Sequence, residues 1–234
     1  MKLHLEEAYE ELCAEYNTKP LWSFLSCLRN TYATADGEVF IDASSVEGEH
    51  FCVFVELLRQ LLRRPNMFIQ PAIVRLGTPS APLTRSPLST AEEQDSHVFY
   101  AVPPRLLRLK LRLSRNANNT DVERVSRLIV VEKVVDCVPF PIPGDDGAKA
   151  GGQATGSLSQ LNWPEKAVVE CIDLHDCVFV SLTGGRALRA AARRNAYLQH
   201  VFLEGCSVNA AVVAHIVQVT RGNREQFRHA CAVA

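Results

Sequence analysis

Apolar and polar positions along this chain switch repeatedly between two periods. Over residues 3–30, Leu5, Ala8, Leu12 and Cys13 recur at three- and four-residue spacing with acids opposite, Pro20 interrupts, and Leu21, Phe24, Leu25 and Leu28 form a second stripe. This predicts helix, break, helix. Asp36-Gly37 marks a turn, after which Val39, Ile41 and Ala43 alternate as a short strand does. From Glu49 to Arg64 the helical period returns, with Phe51, Val55, Leu58 and Leu62 inward, until Pro65-Asn66 ends it. Ala72, Val74 and Leu76 alternate again. The clearest amphipathic strand follows, Leu107, Leu109, Leu111 and Leu113 against Arg108, Lys110 and Arg112. Residues 120–138 suit either a helix, with Val122, Val125, Leu128 and Ile129 inward, or a strand returning through their β-branched second half.

Two stretches fit neither period. Residues 77–97 are rich in Pro, Ser and Thr and read as a surface insertion, with Thr78-Pro79 and Ser86-Pro87 as candidate phosphosites. Residues 141–160 are rich in Gly, Ala and Ser and read as a flexible linker, without the Lys-Ser/Thr of a phosphate-binding loop.

The chain repeats itself near its end. Val169-x-x-Ile172-x-Leu174-x-x-Cys177 recurs as Leu198-x-x-Val201-x-Leu203-x-x-Cys206, displaced by 29 residues. Each is followed by an apolar residue two places on (Phe179, Val208) and a helical stripe: Leu182, Ala187, Leu188 and Ala191, then Val212, Val213, Ile216 and Val219. The fourth and sixth positions point to one face of a short strand, and the Cys suits the turn that leaves it. One strand–helix unit cannot bury its own apolar face, so such units must stack.

These residues resemble the leucine-rich repeat family, in its ribonuclease-inhibitor-like subtype of about 28–29 residues per repeat. The alternative is a pair of αβ units in an ordinary α/β domain. Residues 36–66 read as a degraded third unit, with Val39 and Ile41 at positions four and six, Ser44 in the Cys place and Val46 two further on. Leu106-x-x-Leu109-x-Leu111-x-x-Ser114 is a candidate fourth, and Ala72–Leu76 a candidate start of another. Ala8-Tyr9-Glu10-Glu11-Leu12-Cys13, with Pro20 and Leu25, is similar to the helical cap of ciliary and flagellar members. The resemblance implies an α/β fold: a short solenoid with parallel strands on a concave face, helices on the convex face, and a helical N-terminal cap. It implies a cap at 1–35 and an irregular repeat domain at 36–234.

In that register Cys171, Asp173 and His175 project from one strand and His200, Phe202 and Glu204 from the next, pairing Cys171 with His200, Asp173 with Phe202 and His175 with Glu204. Such a set can be a metal site or a Cys–His dyad. No nucleophile elbow or oxyanion device accompanies it, so Asp173, His175, His200, Phe202 and Glu204 read instead as a partner-binding surface with Phe202 as anchor. Arg186, Arg189, Arg193 and Arg194 form a second candidate surface on a helix, suited to an acidic partner. Residues 103–130 carry a further excess of Arg and Lys.

Composition narrows the rest. With 25 Lys and Arg against 26 Asp and Glu, the net charge of −1 excludes a globally basic nucleic-acid binder. Aromatics for base stacking are scarce near the Arg clusters, so an RNA-associated subunit is the second reading. The acidic opening MKLHLEEAYEELC is unlike a secretory or mitochondrial leader, no apolar run suits a membrane span, and the eight cysteines have no zinc-finger spacing. The expectation is a cytoplasmic, non-enzymatic protein-interaction scaffold with no metal and no cofactor. Its partner would be acidic or cytoskeletal, in the setting of a flagellum or cilium.

Overall fold

The alternating segments become parallel strands, and the segments of helical period become the helices between them. A computed structural model of the chain describes residues 1–69, 73–75, 98–100, 106–131 and 166–233. The insertions read at 77–97 and 141–160, with Thr78 and Ser86, lie outside these residues. In chain order the elements are α1 (Glu6–Glu15), α2 (Trp22–Arg29), β1 (Glu38–Ala43), α3 (Glu49–Arg63), β2 (Ile73–Arg75), β3 (Val98–Tyr100), β4 (Leu106–Leu113), α4 (Asn119–Val131), β5 (Lys166–Asp173), α5 (Leu182–Arg194), β6 (His200–Phe202) and α6 (Ala210–Val233).

Strands β1, β4, β5 and β6 lie side by side in that order, every pairing parallel. Helices α3, α4, α5 and α6 pack against one another in the same order behind them. The fold is α/β, each new unit added beside the last. The open choice at 120–138 resolves to helix through Val131, with Val122, Val125, Leu128 and Ile129 all buried. Strand β2 pairs antiparallel with β3 in a separate ribbon, so Ala72–Leu76 does not begin another unit of the main sheet.

Register explains the core. Ile41, Leu111, Ile172 and Val201 form one row across the sheet, each buried toward the helices. Burying a side chain of this size contributes roughly 1.5–3 kcal/mol. After each strand the chain makes the same tight turn: the N–H of Val46, Ala117, Cys177 and Cys206 donates to the carbonyl of Ala43, Ser114, Leu174 and Leu203 at 3.0, 2.9, 3.1 and 3.1 Å. Cys177 Sγ donates to the Ser114 carbonyl at 3.1 Å and Cys206 Sγ to that of Leu174 at 3.0 Å, tying each turn to the unit before it. Val46 and Ala117 therefore stand where the Cys does, not Ser44 and Ser114. The row also puts Ile41 and Leu111, not Val39 and Leu109, beside Ile172. Because sheet side chains alternate with period two, a slip of two residues keeps every face and hides in the pattern. Phe179, the apolar residue two places after Cys177, is 58% exposed, and Val180 is buried.

Asparagines join neighbouring helices. Asn195 Nδ2 donates to the Ile129 carbonyl at 3.0 Å, and Asn223 Nδ2 to those of Ala192, Asn195 and Leu198 at 3.0, 3.2 and 2.8 Å. The Ile129, Ala192 and Asn195 carbonyls are at helix ends and lack intrahelical donors; Leu198 lies in the segment that leads into β6. At the opposite end Asn119 Oδ1 accepts from the N–H groups of Ser181 and Gly184, both at 2.9 Å, so a residue of α4 caps the start of α5.

The N-terminal segment closes one end of the sheet. Ala33 bridges Val39 on the β1 edge away from β4, Lys2 bridges Tyr32, and the terminal amine donates to the Ala33 carbonyl at 2.7 Å. Beneath it, Tyr9, Phe24, Phe54 and Phe51 meet edge to face at 5.0–5.8 Å between ring centroids.

Candidate functional site

One sheet face is covered by helices; the other presents rows of polar side chains. Across β1, β4, β5 and β6 the register sets Phe40, Lys110, Cys171 and His200 in one row, and Asp42, Arg112, Asp173 and Phe202 in the next. His175 and Glu204 extend these rows past the strand ends, with His175 Nε2 3.2 Å from Glu204 Oε2. The expected neighbours Cys171 and His200, Asp173 and Phe202, His175 and Glu204 thus meet. Two of the three pairs are β5–β6 register partners.

Most of this face is zipped by charge. Glu38 takes Arg108 at 3.1 Å and Lys110 at 2.7 Å, Arg108 reaches Glu170 at 3.5 Å, Arg112 lies 3.7 Å from Asp173, and Arg115 lies 3.6 Å from Asp176. The hydrogen bond from Lys110 holds the Glu38 carboxyl below its usual range. The cationic excess read along 103–130 is therefore matched, strand by strand, by carboxylates distant in sequence. Arg127 pairs with Glu123 at 3.4 Å, and Arg124 donates to Cys52 Sγ at 3.1 Å. Arg105 lies outside the described residues.

The β6 end differs. Phe202 is 39% exposed and sits between two imidazoles, 5.8 Å from His175 and 6.0 Å from His200 by ring centroids. The two rings carry opposite tendencies. His175 Nδ1 lies 2.7 Å from Asp173 Oδ1, and this hydrogen bond, reinforced by the charges of Asp173, Glu204 and Asp176, raises its pKa. Protonated, it donates from both nitrogens, one to each carboxylate. Burial, then the charges of Arg224, Lys110 and Arg228, lower that of His200. Phe202 is thus flanked by one ring that holds its proton more readily than a free imidazole and one that holds it less readily.

Cys171 stands apart from this group: only 8% exposed, its thiol is pushed up to about 12 by burial. At neutral pH it stays protonated beside His200, without the thiolate of a Cys–His dyad. Among the described residues no three His, Cys, Asp or Glu side chains are grouped to hold a metal ion.

Above the strand ends a polar cleft of about 390 Å³ is lined by Ser44, Glu47, Arg112, Leu113, Ser114, Arg115, Asn116 and His175. Glu47 Oε1 accepts from Ser114 Oγ and Asn116 Nδ2, each at 2.8 Å. Glu38, Asp42, Glu47 and Phe40 are surface residues that sequence spacing did not single out; Phe40 is 53% exposed. Their signal was present only as the polar half of the β1 alternation.

Arg186, Arg189, Arg193 and Arg194 lie on α5, in the helix layer behind the sheet. The first, third and fourth are exposed, Arg189 is half-buried, and none makes an ion pair among the described residues. The two expected surfaces are thus separate. No helix among the described residues is long and apolar enough to cross a membrane. Comparison with models of known protein families, with curated proteins and with solved structures finds no match to this chain.

Proposed function

We propose that the chain is a leucine-rich repeat solenoid of the ribonuclease-inhibitor-like subtype and works as a non-enzymatic scaffold for a protein partner. What supports the repeat reading is the sequential parallel sheet, with the same turn hydrogen bond after each main-sheet strand. The observation that carries the scaffold reading is Phe202, an exposed aromatic clamped by His175 and His200 on a face most of whose other charges are paired. Neutralised rows cost a partner little to cover beyond desolvation, whereas an aromatic anchor in a polar rim is the pattern of an interface hot spot. The α5 arginines, without an ion pair among the described residues, favour an acidic surface on the same or a second partner. The setting we propose, on the likeness of the N-terminal segment to the cap of ciliary members, is a flagellar or cytoskeletal assembly.

The test is affinity capture of the tagged protein from its own cells, with and without nuclease, comparing wild type with Phe202→Ala and with Arg186→Glu/Arg189→Glu/Arg193→Glu. The expected result is a defined set of proteins that survives nuclease and is depleted at least tenfold by one of the variants. Recovery only of RNA-binding proteins that vanish with nuclease would overturn it and make the α5 arginines a nucleic-acid site.

A further inference from the structure

The two ends of the main sheet are not equivalent. At the β1 end the outer edge is occupied by Ala33 and the N-terminal segment. At the other end β6 pairs with β5, and among the described residues nothing pairs with its far edge. The direction of its backbone groups is fixed by bonds already made. The Phe202 and Glu204 carbonyls accept from Leu174 and Asp176 at 3.0 and 2.8 Å, so these residues turn their main chain toward β5. The alternate residues, Val201 and Leu203, aim theirs at the free edge. Unsatisfied edges of this kind are templates for pairing with another chain.

We propose that the chain forms a two-fold symmetric dimer in which the β6 strands of two copies pair antiparallel about Phe202, joining their main sheets into one continuous sheet. Three observations select a second copy as the occupant. Head-to-tail addition would have to displace Ala33 from Val39 at the β1 edge, whereas the β6 edge of another copy is free among the described residues. An isologous contact must also be self-complementary. A two-fold axis at Phe202 makes Val201 and Leu203 of opposite copies the hydrogen-bonded pairs and sets the two Phe202 rings in the close, non-bonded position on the open face. The same axis brings Glu204, its side chain 66% exposed, against the partner copy's His200 end, where Arg224 and Arg228 act.

The helix layer agrees. Toward α5, helix α6 turns Asn223, bonded to the Ala192 and Asn195 carbonyls, and Val212, which packs over Gly185. Helical geometry then puts Val213 and Val217 on the flank toward the free edge, and Val217 is 52% exposed. The two-fold axis brings these flanks together. The inference concerns the end of the sheet and does not depend on the scaffold reading.

Sedimentation equilibrium of the full chain over a range of concentrations tests it, with a dimer of twice 25.9 kDa expected. Val201→Pro deletes a donor aimed at the free edge while sparing the bonds to β5, and edge strands tolerate such a proline. It is expected to weaken dimerisation by about tenfold or more with unchanged circular dichroism. Phe202→Cys gives a second, independent readout. Facing Cα atoms at a non-bonded antiparallel position lie about 4.5 Å apart, within disulfide range, so oxidised glutathione should cross-link it into a covalent dimer. Phe40→Cys, at the closed end, should form no covalent cross-link under the same treatment. A chain that is monomeric at every concentration overturns the proposal. So does a dimer that Val201→Pro leaves intact and Phe202→Cys does not cross-link. Partner capture with the Val201→Pro variant reads the scaffold function separately.

Discussion

His175 is the residue whose chemistry depends most on its neighbours. Its pKa is raised by the hydrogen bond it donates to Asp173 and by nearby carboxylates, so the folded state holds its proton more tightly than the unfolded chain does. The linked stabilisation is fully present below the unfolded value, about 6.5, and is lost as pH rises through the higher folded value. His175→Gln should therefore be less stable than wild type in mildly acidic buffer and nearly equal to it well above the folded value. Urea denaturation at both pH values measures this, and a pH-independent difference would contradict it. The ring is exposed, so the effect is modest and screened by salt. The three cross-strand neighbours around it were legible from spacing alone, because a 29-residue repeat fixes which side chains share a row. The ion pairs of Arg108 and Lys110 with Glu38 were not. They join residues 70 and 72 apart, and no periodic pattern records a charge partner at that distance.

At the level of elements, glycine sets how closely two helices approach. A Cβ on Gly185 would lie 2.6 Å from Val208 Cγ1 and 3.2 Å from Val212 Cγ1, both on stiff β-branched side chains. Gly185→Ala gains helix propensity but forces α5 away from the segment entering α6, and the packing loss outweighs the gain. The expected result is a destabilisation of about 1–3 kcal/mol in thermal or urea unfolding. Gly205 is constrained differently. Its φ of +79° and the Asp176 atoms 2.5–3.1 Å from any added Cβ leave room for glycine alone. Most helices and main-sheet strands could be read from apolar spacing, since burial on one face imposes the period. The register of the first two units could not, because Val39–Ile41 and Ile41–Ala43 offer the same alternation. Only the pairing with Leu111 distinguishes them.

Across the molecule, stability is unevenly supplied. The β1 end has the N-terminal cap and the aromatic cluster of Tyr9, Phe24, Phe51 and Phe54. The β6 end has a three-residue strand and a helix with no fully buried side chain from Arg221 to His229. In a stack where each unit rests on its neighbours, opening starts at the weaker end. Native-state hydrogen exchange should show amides in the second half of α6 exchanging fastest among the described helices and those of α3 and β4 slowest. Uniform protection from end to end would contradict this.

The connections divide the molecule in another way. Five residues, 195–199, suffice to carry the chain from α5 to β6, yet residues 64–105 separate α3 from β4 and 132–165 separate α4 from β5. Both long connections run from the end of a helix to the start of a strand. The turns at the other strand ends, where Glu47, His175 and Glu204 stand, are short and repeat one hydrogen bond. One side of this protein is thus permissive to changes in length and the other exacting. A reporter domain spliced into either long connection leaves the rows of the sheet in step, whereas a single residue added at Cys177 breaks the turn that sets α5 and β6 against the unit before them.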